Sequence, residues 1–356
     1  MPVRMKDIAL KLGVSVVTVS KALRGLPGIG PETTARVQNL AKEMNYSPNL
    51  VGRALALGHT YSIGLVIPDL VHPFFAQIAK SLTAALHEGG YSLVIACSAE
   101  DAAIEKRAVE QFVAKNVDAL VIASAQASGE LFRWIEEQKV PYLLIDRKFA
   151  DMDAHFVGVD DRRVGILATE HLVEMGCLRI AHLGGRRLSS ALGRRKGYEQ
   201  TLFRHGLQVS DSYVLVKDRT DKPSEVVGYE NARQLLRLDP MPDGIFCYND
   251  PTATGALMAC LEAGLRVPED IAIVGCGNSN YDEFLRVPLS SVDQKSEGLG
   301  RRAGEITLRL VTSRRARRPE SVFLEPELIV RASSQKRSPW AAVEPLSGAN
   351  SAATPA

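Results

Sequence analysis

Two short helical patterns separated by a glycine constrain this chain most strongly. The first pattern has apolar residues at Met5, Ile8, Ala9 and Leu12. Gly13 interrupts it, and Ser15 is a good N-cap for a second helix because its hydroxyl can accept an unpaired backbone amide. The second pattern has apolar residues at Val16, Val19, Ala22 and Leu23. Such a helix-turn-helix can place its second helix in the DNA major groove, although spacing alone equally allows an ordinary helical hairpin.

The charge of the chain is unevenly distributed. Residues 1–60 contain eight Lys or Arg and three acids, whereas all 356 residues together have a formal net charge of only +2. A basic module on a slightly acidic body is typical of a domain that binds a polyanion, because phosphate contacts supply most non-specific DNA affinity. The alternative interpretation is a solvated surface with a chance asymmetry. Charge therefore favours DNA binding by the N-terminal residues.

A third helix follows the pair and is predicted to begin at Pro31, a favourable first-turn residue. Its apolar stripe is Val37, Leu40, Ala41 and Met44. We therefore predict a three-helix DNA-binding domain over 1–46. Residues 47–60 form a predicted hinge helix or linker, too short to be a stable helix alone. Gly52 weakens this helix further.

The remainder alternates apolar runs with helical patterns. The strand-like runs cover 62–68, 92–97, 117–123, 141–146, 179–184, 244–248 and 271–275. Such alternation predicts parallel sheets covered by helices on both faces. We expect a two-lobed α/β core over 61–334. The N-lobe is predicted at about 61–159 and 289–319, and the C-lobe at about 160–288 and 320–334. Residues 335–356 are rich in Ser, Ala and Pro and are predicted to be disordered.

Several function classes lack their sequence signals. The cysteines are scattered without a C-x-x-C pair, which argues against a disulfide framework or zinc site and fits a reducing cytosol. We find neither a signal-peptide h-region nor an apolar run long enough to span a bilayer. The G-x-x-x-x-G-K-[ST], G-x-S-x-G and H-E-x-x-H motifs are missing. The chain is thus predicted to be a cytoplasmic protein without membrane partners, cofactors, metals or enzymatic activity.

The order of these features resembles the LacI/GalR family of bacterial transcription regulators from about residue 4 to residue 334. The matching motifs are Met5–Arg24, Tyr46-Ser-Pro-Asn49, Arg53-Ala-Leu55, Ile67-Pro-Asp69, Pro73-Phe-Phe75, His171-Leu172, Gly193-Arg194, Gly197-Tyr198, Asn249-Asp250, Gly264–Asp270 and Leu328–Arg331. The resemblance implies a helix-turn-helix headpiece and hinge helix, followed by a periplasmic-binding-protein-like α/β core.

The resemblance also implies DNA contacts. The matching positions are Met5, Ser15, Val16, Val17, Thr18, Ser20, Lys21, Arg24, Gly30, Thr33, Tyr46, Asn49 and Leu55. Val16 and Val17 could contact thymine methyl groups, and Lys21 a guanine or a phosphate. Packing in the headpiece core is the alternative for Val17. Leu55 matches a hinge leucine that wedges between base steps in the minor groove.

By the same resemblance, a ligand cleft lies between the lobes. The matching positions are His72, Phe74, Phe75, Ser190, Arg194, Asn249, Asp250, Asn278 and Gln294. Arg194 could clamp a carboxylate or phosphate, or bind vicinal hydroxyls; a surface arginine is the alternative. Asp250 is either a helix cap or a ligand contact. Sugar-binding members usually have a carboxylate where this chain has Gly277, so we favour a sugar acid or another small carboxylate as effector.

Together these features predict a DNA-binding transcriptional regulator, most simply a repressor. It would bind a near-palindromic operator as a homodimer, under allosteric control by a small molecule in the cleft. A C-terminal leucine heptad is missing, which favours a dimer over a tetramer. The competing function is a solute-binding protein of the same two-lobed fold without a regulatory role.

Overall fold

The structure of the chain is a computed structural model. It describes residues 3–47, 58–149, 151–216, 222–313 and 318–335. The chain divides into two compact units, Met1–Thr60 and Tyr61–Ala356. Most of the predicted hinge, including Asn49, Gly52 and Leu55, lies outside the described residues, as does the predicted disordered tail after residue 335. The hinge helix and the disordered tail therefore remain predictions.

The first unit contains the three predicted helices, α1 (Met5–Leu12), α2 (Val16–Leu23) and α3 (Pro31–Glu43). Gly13 ends α1 in the left-handed conformation, with φ of 64°, which costs glycine little because it has no Cβ. The Ser15 hydroxyl accepts a 3.0 Å hydrogen bond from the Thr18 amide and caps α2. A small apolar core built around the fully buried Ile8, Val19 and Val37 holds the helices together. The helix-turn-helix prediction is confirmed.

The second unit begins with one α/β lobe. Its elements in chain order are β1 (Ser62–Ile67), α4 (Pro73–Glu88), β2 (Ser92–Cys97), α5 (Ala102–Ala114), β3 (Ala119–Ile122), α6 (Glu130–Glu137), β4 (Tyr142–Ile145) and β5 (Phe156–Val159). Two later elements complete it, α11 (Ser296–Thr312) and β11 (Ser321–Leu324). The sheet order is β11-β5-β4-β3-β1-β2, and all pairs are parallel.

The second lobe repeats this plan. Its elements are α7 (Asp161–Glu174), β6 (Ile180–Gly184), α8 (Ser189–Arg204), β7 (Val214–Val216), α9 (Ser224–Leu235), β8 (Gly244–Cys247), α10 (Asp250–Glu262), β9 (Ala272–Cys276), β10 (Ser290–Asp293) and β12 (Glu327–Ile329). The sheet order is β12-β10-β9-β8-β6-β7. Only the β10–β12 pair among the described strands is antiparallel. The prediction of two parallel-sheet lobes is therefore confirmed, with one antiparallel edge strand in the second.

The lobe boundaries predicted for the last third of the core need correction at two strands. The sequence interpretation placed 289–319 in the N-lobe and 320–334 in the C-lobe, but β10 pairs with β9 in the second sheet and β11 pairs with β5 in the first. Val292 of β10 is buried in the core of the second lobe. The Ser290 hydroxyl accepts a 2.7 Å hydrogen bond from the Arg331 amide, which ties β10 to the returning chain. The chain therefore crosses to the first lobe only after β10.

Candidate functional site

The start of α2 exposes two apolar side chains at positions where a DNA contact is predicted. Val16 is 44% exposed and Val17 is 64% exposed, whereas Val19 on the same helix is fully buried. Core packing, the alternative for Val17, is therefore not what holds this side chain. Lys21 is also exposed, one helical turn after Val17. Val16 and Val17 begin the helix and Lys21 lies in its last turn, so exposed side chains follow the helix from one end to the other.

The other predicted DNA contacts in the first unit differ in exposure. Ser15 and Thr18 share a 2.8 Å hydrogen bond between their hydroxyls, so both lie at the N-terminus of α2. Met5 and Tyr46 are half-buried against the small core and combine a packing role with a partly exposed edge. The remaining described positions are on the surface or half-buried: Ser20, Arg24, Gly30 and Thr33.

A cavity of about 580 Å³ lies between the two lobes of the second unit. His72, Phe75 and Arg147 belong to its first-lobe wall, and Tyr248 and Asn249 to its second-lobe wall. The Asn249 amide nitrogen donates to His72 Nε2 across the cleft at 3.1 Å. Of the predicted effector residues, His72, Phe75 and Asn249 therefore line one shared cavity.

His72 is held in its neutral form. Burial lowers the pKa of its imidazole to about 4, against the opposing effect of the Asp69 carboxylate. Because Nε2 accepts from Asn249, Nδ1 carries the proton. The Asn249 side chain also caps α10, accepting a 2.9 Å hydrogen bond from the Thr252 amide. The cap and the contact across the cleft therefore use opposite ends of one amide.

Arg194 is not presented to the cleft as a free cation. Only 3% of the residue is exposed. Its Nε donates to Asp161 at 2.9 Å and its Nη1 to the Tyr248 carbonyl at 2.5 Å, and the guanidinium lies over the Tyr248 ring. Burial raises the pKa of Asp161 to about 6 although Arg194 opposes that shift. Arg194 is therefore a buried cation and not the surface arginine of the alternative interpretation, and its role as a ligand clamp stays a prediction.

Three more predicted effector residues are buried beside the cleft. The Ser190 hydroxyl is 3.0 Å from the Tyr248 hydroxyl. Gln294 is buried, and its Oε1 accepts a weak hydrogen bond from the Cys276 thiol. Phe74 packs edge-on against Phe75, with ring centroids 5.1 Å apart, but it lines a different depression from Phe75. Ser190 and Phe74 thus contact residues that line the cavity, and none of the three belongs to its surface.

Asp250 and Asn278 also lie away from the cavity. The Asp250 carboxylate is fully buried and accepts hydrogen bonds from the Ser291 hydroxyl at 2.6 Å and from the amide and hydroxyl of Ser279, both at 2.9 Å. It is thus neither the helix cap, which is Asn249, nor a cleft residue. The Asn278 Oδ1 accepts from Arg331 at 2.7 Å, and Asn278 lines the same depression as Phe74. The Asp250 side chain thus ties α10 to β10 and to the loop after β9, and the Asn278 side chain ties that loop to the chain after β12.

Asp282 provides a pH-dependent prediction for this buried cluster. Burial and the neighbouring Asp250 carboxylate raise the pKa of Asp282 to about 9, so its carboxyl is protonated at neutral pH. A folded-state pKa above the unfolded value means that stability falls as the pH rises from about 4 to about 9. We expect Asp282→Asn, which mimics the protonated form, to flatten this decline. At pH 8 it should raise the free energy of unfolding by about 1 kcal/mol or more.

Thermal unfolding of both proteins between pH 5 and pH 9 measures this difference. Glu283→Gln, an exposed neighbour, is the matched control and should follow the wild-type curve. Parallel wild-type and Asp282→Asn curves over the whole range would show that Asp282 is already ionised in the folded protein.

Two arginines and a glutamate that line the cavity were not among the effector residues predicted from the sequence. Arg147 is 5% exposed and donates to the Glu100 carboxylate through Nη2 at 2.6 Å and Nη1 at 3.1 Å. From the opposite lobe, Arg186 Nη1 lies 3.6 Å from the same carboxylate and donates to the Glu100 carbonyl. Arg147 follows the apolar run that forms β4, and polar residues at the ends of parallel strands are a usable signal for a binding site. The pair Asp146-Arg147 carries that signal.

The described residues lack two other kinds of feature. None of the helices in these ranges is long and apolar enough to cross a membrane. Nor does any group of three or more His, Cys, Asp and Glu side chains there have a metal-binding arrangement.

Two family models match the chain. The model of bacterial regulatory proteins of the lacI family matches residues 4–49, and that of a periplasmic binding protein-like domain matches residues 169–334. Both matches agree with the described architecture, because the first covers α1 to α3 and the second covers most of the second lobe.

Curated relatives match nearly the whole chain. The HTH-type transcriptional repressor PurR of Haemophilus influenzae (strain PittEE) is 31% identical over 335 residues, covering 92% of this chain and 98% of that protein. PurR of Mannheimia succiniciproducens is 29% identical over 334 residues, covering 93% and 98%.

Solved structures agree with these matches. The Lac repressor dimer bound to operator and the anti-inducer ONPF has a TM-score of 0.82 and 25% identity, covering 94% of this chain and 99% of that chain. The complex of the transcriptional regulator CelR with cellobiose has a TM-score of 0.70 and 28% identity, covering 93% and 99%. These relatives are DNA-binding regulators and not enzymes. The chain belongs to the LacI family of bacterial regulatory proteins.

Proposed function

We propose that this protein is a cytoplasmic transcriptional repressor that binds a near-palindromic operator as a homodimer. A small acidic effector in the cleft between the lobes controls its affinity for DNA. The observation that carries the proposal is the exposure of Val16 and Val17 at the start of α2, together with that of Lys21 one turn later. An apolar pair has no folding reason to face solvent there, whereas thymine methyl groups in a major groove would cover it.

The remaining DNA contacts complete this proposal. Phosphate contacts from Ser15, Thr18 and their neighbours would set the position of the headpiece without reading sequence. Leu55 and Asn49, outside the described residues, would act where the hinge meets the minor groove. Because two valines make no base-specific hydrogen bonds, much of the specificity would rest on Lys21, on Leu55 and on the spacing of the two half-sites.

Apolar side chains on the second unit support the homodimer. β2 lies at the edge of the first sheet, and its Val94 and Ile95 are more than one-third exposed. Phe284 in the second lobe is 78% exposed. Exposed edge strands and large apolar residues mark surfaces that a second chain can cover. The Lac repressor, one structural neighbour, is a dimer on its operator.

The acidic effector is proposed from the cations of the cleft. Arg194 is paired with Asp161 and does not line the cavity. Arg147 and Arg186 instead line the cavity from opposite lobes. A carboxylate bound between them would make charge-assisted hydrogen bonds to both lobes and so favour one lobe arrangement over another. The proposal that the effector is a sugar acid or another small carboxylate therefore rests on Arg147 and Arg186.

A binding titration with point variants tests the DNA-reading surface. We expect Lys21→Ala to weaken binding to an operator, selected from a random duplex library with the wild-type protein, by at least about tenfold. Val17→Ala should relax the preference at one base pair in each half-site, because it removes only contacts to a methyl group. Fluorescence anisotropy at fixed salt measures both effects, since affinities at different salt concentrations cannot be compared.

Lys11→Ala is the matched control, because Lys11 is also an exposed lysine, but on α1. Its affinity should stay within about twofold of wild type at the same salt concentration. If Lys11→Ala and Lys21→Ala weaken binding equally, α2 is not the reading helix. If no duplex is selected over random DNA, the alternative of a solute-binding protein is favoured.

A further inference from the structure

The Glu100 carboxylate occupies the position between the two arginines of the cleft. It accepts hydrogen bonds from Arg147 Nη2 at 2.6 Å and Nη1 at 3.1 Å, and lies 3.6 Å from Arg186 Nη1. Arg147 Nη1 also donates to the Ser124 carbonyl at 3.1 Å, and its Nε lies 3.4 Å from the Asp146 carboxylate. Arg147 belongs to the first lobe and Arg186 to the second. Glu100 therefore contacts, from within the protein, the same two cations that a bound acid would contact.

The loop that carries Glu100 holds it in place. Ala99 and Glu100 both have left-handed backbone conformations, with φ of 51° and 60°, which non-glycine residues adopt rarely. The Ser98 and Ala99 amides donate to the carbonyls of Ile67 and Pro68, each at 2.8 Å, and Asp101 caps α5 immediately afterwards. Because strained conformations persist only where the surroundings impose them, the position of Glu100 is built into the loop.

Among the described residues, the contact to Arg186 is one of three that join the lobes along this cleft. The second is the hydrogen bond between Asn249 and His72. The third is donated by the Lys148 amide to the Ser189 hydroxyl at 3.1 Å. Of the three, only the Glu100 contact pairs opposite charges. It is also the one that an anionic ligand can replace, because the Glu100 side chain remains one-quarter exposed.

We propose that the position between Arg147 and Arg186 is the carboxylate-binding site of the effector, here called the carboxylate seat. In the ligand-free protein Glu100 occupies this seat, and an acidic effector acts by displacing Glu100 from it. This inference rests on the proposed cleft and names the residue that determines its ligand class. The required ligand has a carboxylate able to reach both guanidinium groups, together with polar groups that rebuild the bridge between the lobes once Glu100 is displaced. A neutral ligand cannot replace the negative charge that Glu100 places between Arg147 and Arg186.

Chemical rescue tests the seat without knowledge of the natural effector. We expect Glu100→Ala to lower the Tm of the full chain by several degrees, because Arg147 loses two charge-assisted hydrogen bonds and Arg186 loses an ion pair. Acetate at 100 mM should then raise the Tm of this variant by about 3 °C relative to 100 mM chloride, and acetamide should not. The wild type, with its seat filled, should show no acetate effect. Glu100→Gln keeps the side-chain length, and the same measurement applies if the alanine variant does not fold.

Two controls make the result specific. Asp69→Ala removes a carboxylate from the same cavity that touches neither arginine, and acetate should not raise its Tm. Adding Arg186→Gln to Glu100→Ala should abolish the rescue. If acetate raises the Tm of neither Glu100 variant, or raises that of Asp69→Ala equally, the proposed carboxylate seat is wrong. Rescue of Glu100→Ala together with an effector screen in which only neutral sugars stabilise the wild type would keep the seat and overturn the acidic effector.

Discussion

Replacing Arg194 with methionine is expected to lower the free energy of unfolding by about 3–5 kcal/mol, the usual result of removing one partner of a buried ion pair. The guanidinium is bonded to Asp161 at 2.9 Å and to the Tyr248 carbonyl, and it lies 4.5 Å from the centre of the Tyr248 ring. Methionine keeps much of the volume but leaves a buried carboxylate and a buried carbonyl without their donor. Urea unfolding followed by circular dichroism measures the loss.

The pH dependence identifies its cause. Burial already raises the pKa of Asp161 to about 6, and without Arg194 the pKa of this carboxyl must rise further. A raised folded-state pKa costs stability as the pH increases, so the loss in Arg194→Met should be smaller at pH 5 than at pH 8. Adding Asp161→Asn should recover part of the loss, because the uncompensated charge is removed.

Arg195→Met is the matched control on the same helix. Arg195 forms a surface ion pair with Glu199 at 2.6 Å, and such pairs contribute little to stability. We expect a change below about 0.5 kcal/mol. A change in Arg194→Met as small as that of the control would mean that Arg194 is solvated and available to a ligand, as the sequence interpretation holds.

The first unit was predictable because its determinants are local. Gly13, Ser15 and Pro31 act through backbone conformation and hydrogen bonds within four residues. The apolar positions of α1 and α3 also matched their burial, since the helical period alone determines which face packs inward. Val16 is the exception. It continues the apolar pattern of α2 yet is exposed, because the core already closes over Val19 and Ala22.

The cleft could be predicted only in part because its residues depend on partners distant in sequence. Arg194 faces Asp161, and Asp250 faces Ser279 and Ser291, so each is neutralised or bonded inside one lobe. A motif match specifies a residue type and position but not which neighbour accepts its hydrogen bond. The same limit explains why β10 and β11 were each assigned to the wrong lobe, since a short apolar run is compatible with either sheet.

Glu100 shows the limit most clearly. Nothing in the run Ser98-Ala-Glu-Asp101 distinguishes this glutamate from a surface residue of a helix start. Its significance comes from Arg147, 47 residues later, and Arg186, 86 residues later. The strained loop that places it there also has no glycine to reveal it, because Ala99 and Glu100 adopt left-handed conformations themselves.

Gly255→Ala is expected to destabilise the second lobe by about 3 kcal/mol, at the upper end of ordinary overpacking. Gly255 lies within α10, where it crosses α9. A Cβ at this position would lie 1.9 Å from the Glu225 carbonyl oxygen and 2.8 Å from the Tyr229 amide nitrogen, both in the backbone of α9. No side-chain rotation can relieve such a contact, so the two helices must separate by about 1.5 Å. This cost exceeds the gain of about 1 kcal/mol that alanine normally brings to a helix.

Gly298→Ala in α11 is the matched control, because its added Cβ would lie 3.0 Å from the far end of the Leu324 side chain and 3.8 Å from Lys295 Cβ, with no backbone atom in the way. There the helix-propensity gain should leave the free energy of unfolding unchanged or slightly higher. Since Thr252 and Asn249 at the start of α10 line the cleft, a displaced α10 in Gly255→Ala should also weaken effector binding, while Gly298→Ala leaves it unchanged. Equal stability of the two variants in urea would show that α9 and α10 are not in the close contact that Gly255 permits.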